Sequence, residues 1–360
     1  MKKYLFHKDG SVEDDKGRVL FFSMDRFVSD ICEGDCCFMC GSSPKDKEFN
    51  EEHVIPNWLL RKLNIHELSI TLPNEAKVRY DRYTVPCCKE CNEFLGNELE
   101  KDISAAIDGG LKSVYEYIKK NGSSKVFLWL ALIFFKTHLK DSYLRKHLDT
   151  RKGDEPISSD YDWGLLHHIH CMIRAIQTGI TISEECFGTT YVLPAKSAEH
   201  LASYDYRDVY SANTILLRID DIAFLAVLDD SCFAMNLFSK HFDRLTGSLS
   251  PIQLREVLSH LTLLNTKLKY RPSYHTKLEA STGEVFIAAE LPPSIEIEEH
   301  TREELGAILY ANVSEYVDKM PSPDTNFTKE NVLNGSYHFL FDENGKFMSN
   351  SMDLIKMEIT

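Results

Sequence analysis

The sequence predicts an α+β chain, and three observations predict it. Apolar residues recur at helical spacing through "LWLALIFFKTHL" and "WGLLHHIHCMIRAI". Alternating, β-branched stretches follow in "CFGTTYVLP", "ANTILLRID" and "IAFLAVLD". The two patterns do not alternate as regular strand–helix–strand units, so a doubly wound parallel sheet is not expected. The 360 residues suffice for two or three domains. An apolar share of 43% and a charged share of 27% place the chain among globular proteins rather than disordered or fibrous ones. No repeat of fixed period stands out.

Residues 1–31 read as a hairpin and a helix that pack on the following module. "KYLF" and "RVLFF" flank the turn-rich "HKDGSVEDDKG", and Ser23 is placed to cap "SMDRFVSDI". A cysteine module spans 32–110. Within it, "VIPNWLLRKL" places Pro56 in a first helical turn. "LSITLP" and "KVRYDRYTVP" alternate as strands around the turn "PNEA", and a helix from Lys89 carries "ECNEFLGNELEKDISAAI" with a kink at Gly96. Residues 111–182 form a helical, locally basic segment. Residues 183–360 form an α+β domain: the three strands quoted above, a helix at "SPIQLREVLSHLTLL", a strand at "GEVFIAAEL", a helix at "REELGAILYANVSEYV" and a terminal hairpin "YHFLFDENGKFMSN". Substrate contact, oligomerisation and regulation are the roles open to this last domain.

The longest apolar run, "VFLWLALIFF" at 126–135, has about half of the roughly twenty residues a bilayer span requires. It predicts a buried helix and no membrane partner. "MKKYLFHKDG" starts basic but lacks the apolar segment and small-residue cleavage site of an export signal, so a cytoplasmic location is expected. Seven of the ten cysteines fall between Cys32 and Cys91, while Cys171, Cys186 and Cys232 are scattered; paired Cys-x-x-Cys spacing in such a chain favours metal over disulfides. The net charge of −14 works against phosphate binding. The charge is uneven, however: Lys112 to Lys152 holds ten Lys or Arg against three acids, Glu116, Asp141 and Asp149. Singly these are solvated helix-face residues; together, beside the cysteine module, they are a candidate phosphate-contacting surface.

The chemistry concentrates between the cysteines. Cys37-x-x-Cys40 and Cys88-x-x-Cys91 are separated by forty-seven residues and supply four thiolates for one tetrahedral zinc. Four protein thiolates leave no open position, so this zinc would be structural. Cys36 and Cys87 duplicate the first position of each pair and leave the register open. Between the pairs stands Glu52-His53, and Asn92 follows the second pair directly. Glu52 and Asn92 offer hard oxygens suited to magnesium or manganese. His53 offers an imidazole suited to taking a proton from water.

"EEHVIPNWLL…TVPCCKECNEFLGNELE" resembles the zinc-containing, four-cysteine branch of the HNH endonucleases, the His-metal finger nucleases built on a ββα-metal motif. "RVLFFSMDRF", "GDCCFMCG" and "ITLPNEAKVRYDRYTVPCC" are similar to uncharacterised bacterial HNH proteins, so the resemblance covers roughly residues 1–110. It implies a metal-dependent phosphodiester hydrolase acting on nucleic acid, with DNA the expected polymer. His53 would be the general base, Glu52 and Asn92 would hold one Mg²⁺ or Mn²⁺ against the scissile phosphate, and Cys37, Cys40, Cys88 and Cys91 would bind structural Zn²⁺. It further implies a product with a 5′-phosphate and a 3′-hydroxyl and, by association, a role in anti-phage defence, with a homo-oligomer or a regulatory partner protein as further partners. Two features depart from the family pattern: Glu52 stands where Asp is commoner, and the middle Asn has no counterpart, Arg82 and Tyr83 lying where it is sought. The competing expectation is a zinc-stabilised nucleic-acid-binding or protein-interaction module without catalysis.

The remaining motifs have plainer readings. In "HHIH", His167 and His170 share a helix face while His168 points elsewhere, which predicts partly buried helix residues rather than a ligand set. "RIDD" and "LDD" place acids at strand ends, where turns use them. "IEIEEHTREEL" reads as the solvated, acid-rich start of a helix. The chain has no P-loop, which argues against an ATP-driven motor.

Overall fold

In the computed structural model, which describes residues 4–198, 201–279, 281–318 and 326–349, the chain is a mixed α+β protein with mainly antiparallel sheets. It forms two compact units. The first takes the described residues up to Asp108, Ser124–Cys186 and Tyr274–Ala289; the second takes Gly109–Ser123, Phe187–Ser273 and the described residues from Glu290 onward.

The first unit opens with a three-stranded sheet, β1 (Tyr4–Phe6), β2 (Val12–Asp14) and β3 (Val19–Phe21). The turn-rich stretch expected between two outer strands therefore holds a third, reached through turns at Gly10 and Gly17, both with positive φ. Ser23 caps α1 (Met24–Arg26) as expected, its hydroxyl accepting from the Arg26 amide at 3.2 Å, and π-helical turns continue over Phe27–Cys32. After β4 (Phe49–His53), Pro56 stands one position before α2 (Asn57–Leu63) rather than within its first turn. β5 (Ser69–Thr71) and β6 (Lys77–Arg79) form the expected hairpin around "PNEA". The strand expected to run on through "KVRYDRYTVP" breaks at a 3₁₀ turn, Tyr80–Arg82. That break lets β6 pair with β5 while β7 (Thr84–Cys88) pairs with β4.

α3 (Lys89–Leu95) passes through a π-helical turn, Gly96–Glu100, into α4 (Lys101–Asp108). The kink expected at Gly96 takes this form: a wider turn that re-aims the side chains beyond it. α5 (Gly110–Asn121) belongs to the second unit. α6 (Ser124–Asp141) is buried on every face from Val126 to Leu139, as its apolar run predicts, and is the central helix of the first unit. α7 (Gly164–Thr178) packs beside it, followed by β8 (Thr181–Ile182). Among the described residues no helix is long and apolar enough to cross a membrane.

The second unit is built on an antiparallel sheet of order β10-β11-β12-β9, comprising β9 (Thr190–Pro194), β10 (Tyr204–Val209), β11 (Thr214–Ile219) and β12 (Ile222–Val227). β10, "YDYRDV", escapes the sequence reading because polar residues fill an edge strand that is only half buried. β11 and β12 are buried along their whole length and joined at Asp220–Asp221, so the acids of "RIDD" are turn residues. α8 (Phe233–Phe242) precedes α9 (Pro251–Thr266), which starts with a Ser250–Gln253 capping box. Leu254, Val257, Leu258 and Leu261 of α9 enter one core with Leu216 and Leu225 of the sheet. The chain returns to the first unit through β13 (Ser273–Glu279) and β14 (Glu284–Glu290), β14 pairing in parallel with β8. α10 (Arg302–Val317), capped by Thr301 with Glu303 and Glu304 in its first turn, and α11 (Lys329–Leu333) complete the second unit. The expected terminal hairpin narrows to one bridge between Phe341 and Phe347, and its last residue, Asn350, lies outside the described residues.

A candidate metal centre beside an acid–histidine pair

β7 ends at Cys88 and α3 begins at the next residue, so Cys88 and Cys91 stand three positions apart on the first helical turn. Cys37 and Cys40 lie on a tight loop closed by Gly41 N–H donating to Cys37 O at 2.8 Å and Cys37 N–H donating to Ser42 O at 2.9 Å. Gly41 has φ +74 and its backbone lies on the Phe22 ring; a Cβ there would fall 2.4 Å from Phe22 Cζ, so the loop requires glycine. The loop and the helix start bring the sulfurs of Cys37, Cys40, Cys88 and Cys91 within 4.8 Å of one another. This resolves the register left open by the doubled cysteines. Cys36 is outside the set, and Cys87 is a buried neighbour whose sulfur lies 3.7 Å from that of Cys37.

The four cysteines are arranged to bind a metal ion, and the donor chemistry is that of structural zinc. Tetrahedral Zn–S bonds of about 2.3 Å separate sulfurs by about 3.8 Å, and Cys40 and Cys88 lie 3.7 Å apart. Sulfur hydrogen bonds from Cys40, Cys87 and Cys91 hold the Cys37 thiol well below its ordinary range, whereas burial pushes Cys88 up and hydrogen bonds to Cys37 and Cys40 push Cys91 up. Outer contacts come from α7. Gln177 Nε2 donates to Cys91 Sγ at 3.0 Å. His170, fully buried, is joined to Phe38 O at 2.7 Å. Arg174 donates to Met39 O, Leu20 O and Val19 O at 2.5, 3.0 and 2.6 Å, and its guanidinium lies 4.4 Å above the Phe22 ring. Arg174 has no carboxylate partner among the described residues. Burial pulls it down to about 10, and the thiols of Cys171, Cys40, Cys37 and Cys91 are the groups that oppose this. "HHIH" thus buttresses the cysteine loop rather than forming a ligand set. His167 is joined to Phe22 O at 2.9 Å and His168 is stacked on Tyr274.

Glu52 and His53 are the last two residues of β4, opposite Val85 and Thr84 of β7. Adjacent strand residues point to opposite faces. Glu52 is 8% exposed, and Lys136 of α6 donates to its Oε1 at 2.5 Å and to the His53 carbonyl at 2.7 Å. The His53 ring is half-buried and makes no hydrogen bond among the described residues. Burial lowers its basicity, keeping it neutral near pH 7; His66 and Asp81 are among the charges acting on it. The region around it is tied together by Val54 N–H donating to Tyr83 O, Asp81 N–H donating to His66 O, and a His66–Asn57 hydrogen bond of 3.0 Å. Asn92 stands on α3 and donates to Asn50 Oδ1 at 3.0 Å. Asn50 is two residues before Glu52, so Asn92 meets the face of β4 that carries Glu52, although the two side chains bond to different partners.

Sequence reasoning missed Lys136, Glu100 and Arg174. Lys136 has a signal, a lone cation inside "LIFFKTHL", although the sequence reading counts it with the basic stretch from Lys112 to Lys152. The structure corrects this for Lys136, which is fully buried; Lys125, Arg145, Lys146 and Arg151 stay at the surface, in ion pairs with Asp102, Asp154, Asp160 and Asp149. No family model, no curated protein and no solved structure matches this chain.

Proposed function

We propose that the first unit is a metal-dependent HNH-type nuclease that hydrolyses phosphodiester bonds of nucleic acid, DNA in the first instance. One observation carries this reading: a two-stranded β4/β7 ladder runs without a break into α3, with Glu52-His53 at the end of one strand, Asn92 on the helix and a four-thiolate centre clamping the junction. His53 has the properties of a general base: burial favours its neutral imidazole, and its ring makes no hydrogen bond among the described residues. It would take the proton from the attacking water, a role worth about 10²- to 10⁴-fold in rate. Glu52 Oε2 makes no hydrogen bond among the described residues while Oε1 takes Lys136, and Asn92 offers an amide oxygen on the same face of β4. These oxygens suit Mg²⁺ or Mn²⁺, which when bound would neutralise charge on the phosphate. The zinc centre holds the strand-to-helix junction in place. Restraint of such an activity within a cell, as in anti-phage defence, would fall to the second unit or to a partner protein.

The experiment is supercoiled-plasmid cleavage by the zinc-loaded chain and its His53→Ala variant, with Mg²⁺ or Mn²⁺ and then with EDTA. The reading expects nicking by the wild type, abolished by EDTA and reduced at least about a hundredfold by His53→Ala. Equal cleavage by both proteins removes His53 as base. A second reading, a zinc-stabilised binding module, is favoured by the Lys136 ammonium already paired with Glu52; it expects DNA retention at low salt without metal-dependent cleavage.

A further inference from the structure

Lys136 lies midway along the most apolar helix of the chain and is 0% exposed. A buried ammonium persists only when an anion and further acceptors satisfy it. Here the anion is Glu52 Oε1 and the further acceptor is the carbonyl of His53, so one side chain grips both members of the acid–histidine pair. Glu100, buried on the π-helical turn, is raised by burial and acted on by the charges of Lys136 and Glu52, with Trp58 beside it, and its Oε1 makes no hydrogen bond of normal geometry among the described residues.

Resting on the nuclease reading above, we propose that Lys136 is the resident cation of the Glu52 carboxylate, holding Glu52-His53 in place without a divalent ion and competing with that ion for Glu52. The physical ground is proximity. A divalent ion on Glu52 Oε2 would share one carboxylate with the ammonium on Oε1, and a buried setting screens their repulsion far less than bulk water does. Loading the ion therefore weakens the Lys136–Glu52 bond and frees the carbonyl of His53. Lys136 acts through Glu52 and His53, and is a positioning residue.

The test is Mn²⁺ binding to the zinc-loaded full chain, read from the electron paramagnetic resonance of free Mn²⁺, with zinc content and circular dichroism checked for each variant. Lys136→Met is expected to bind one Mn²⁺ at least about tenfold more tightly than wild type, equivalent to about 1.4 kcal/mol. Adding Glu52→Gln should abolish the gain. If Lys136→Met does not fold, Lys136→Met/Glu100→Gln, which removes a buried acid together with the lysine, carries the same comparison. Unchanged or weaker Mn²⁺ affinity in the folded variant overturns the proposal, as does the absence of submillimolar Mn²⁺ binding in every variant. Tighter Mn²⁺ binding without DNA cleavage by the wild type would keep this inference and remove the nuclease reading; cleavage by the wild type with unchanged affinity in the variant would do the reverse.

Discussion

Replacing Arg174 with Met tests whether the cysteine loop depends on α7. The substitution keeps an apolar stem but deletes three hydrogen bonds, to Met39 O, Leu20 O and Val19 O. Removing one partner of a buried, charged hydrogen-bonded group costs about 3–5 kcal/mol, so a loss of that size is expected. All three tryptophans, Trp58, Trp129 and Trp163, belong to the first unit, so urea unfolding followed by tryptophan fluorescence reports on this unit alone. Zinc release to a chromogenic chelator should also accelerate, because the thiolate set loses a nearby buried cation. Arg174→Lys should recover part of the stability, since it restores the charge with fewer donors. A stability change below about 1 kcal/mol, with unaltered zinc release, would refute the account of Arg174 as the tie between α7 and the metal loop.

Removing zinc with a strong chelator, or replacing Cys88 with Ser, should unfold the first unit, because structural zinc contributes about 10–16 kcal/mol to such folds; the tryptophan emission should shift to the red, and an unshifted spectrum would mean the unit stands without metal. Burial raises the Glu100 carboxyl from its ordinary 4.5 to about 7. The folded chain then keeps a proton that the unfolded chain releases, so this contribution is fully present below pH 4.5 and lost as pH rises through about 7. Between pH 5 and 8 the first unit should lose about 2–3 kcal/mol, and Glu100→Gln should flatten that slope and be the more stable protein at pH 8. Parallel slopes for wild type and variant in urea titrations would show that Glu100 is not the group responsible.

Local chemistry was legible in the sequence. Ser23 as a cap, the buried α6, the turn acids of "RIDD" and the kink at Gly96 depend on residues within a few positions of one another, and the structure realises each. The cysteine pairs were legible for the same reason, since each Cys-x-x-Cys is closed by its own turn or helix start. Which sulfur of each doubled cysteine faces the centre was not, because moving one position along a loop or strand turns a side chain to another face, and only the packing of Phe22 under Gly41 and of α7 against the loop selects the register. The partners of the acid–histidine pair were beyond reach for a related reason. Lys136 meets Glu52 across 84 positions of sequence, and Arg174 meets Val19 across 155. From sequence alone, residues 32–91 could be read as a metal-binding module with an acid–histidine pair inside it. Tertiary structure decided what surrounds that pair, because the cost of burying a charge is settled only where distant segments close over it.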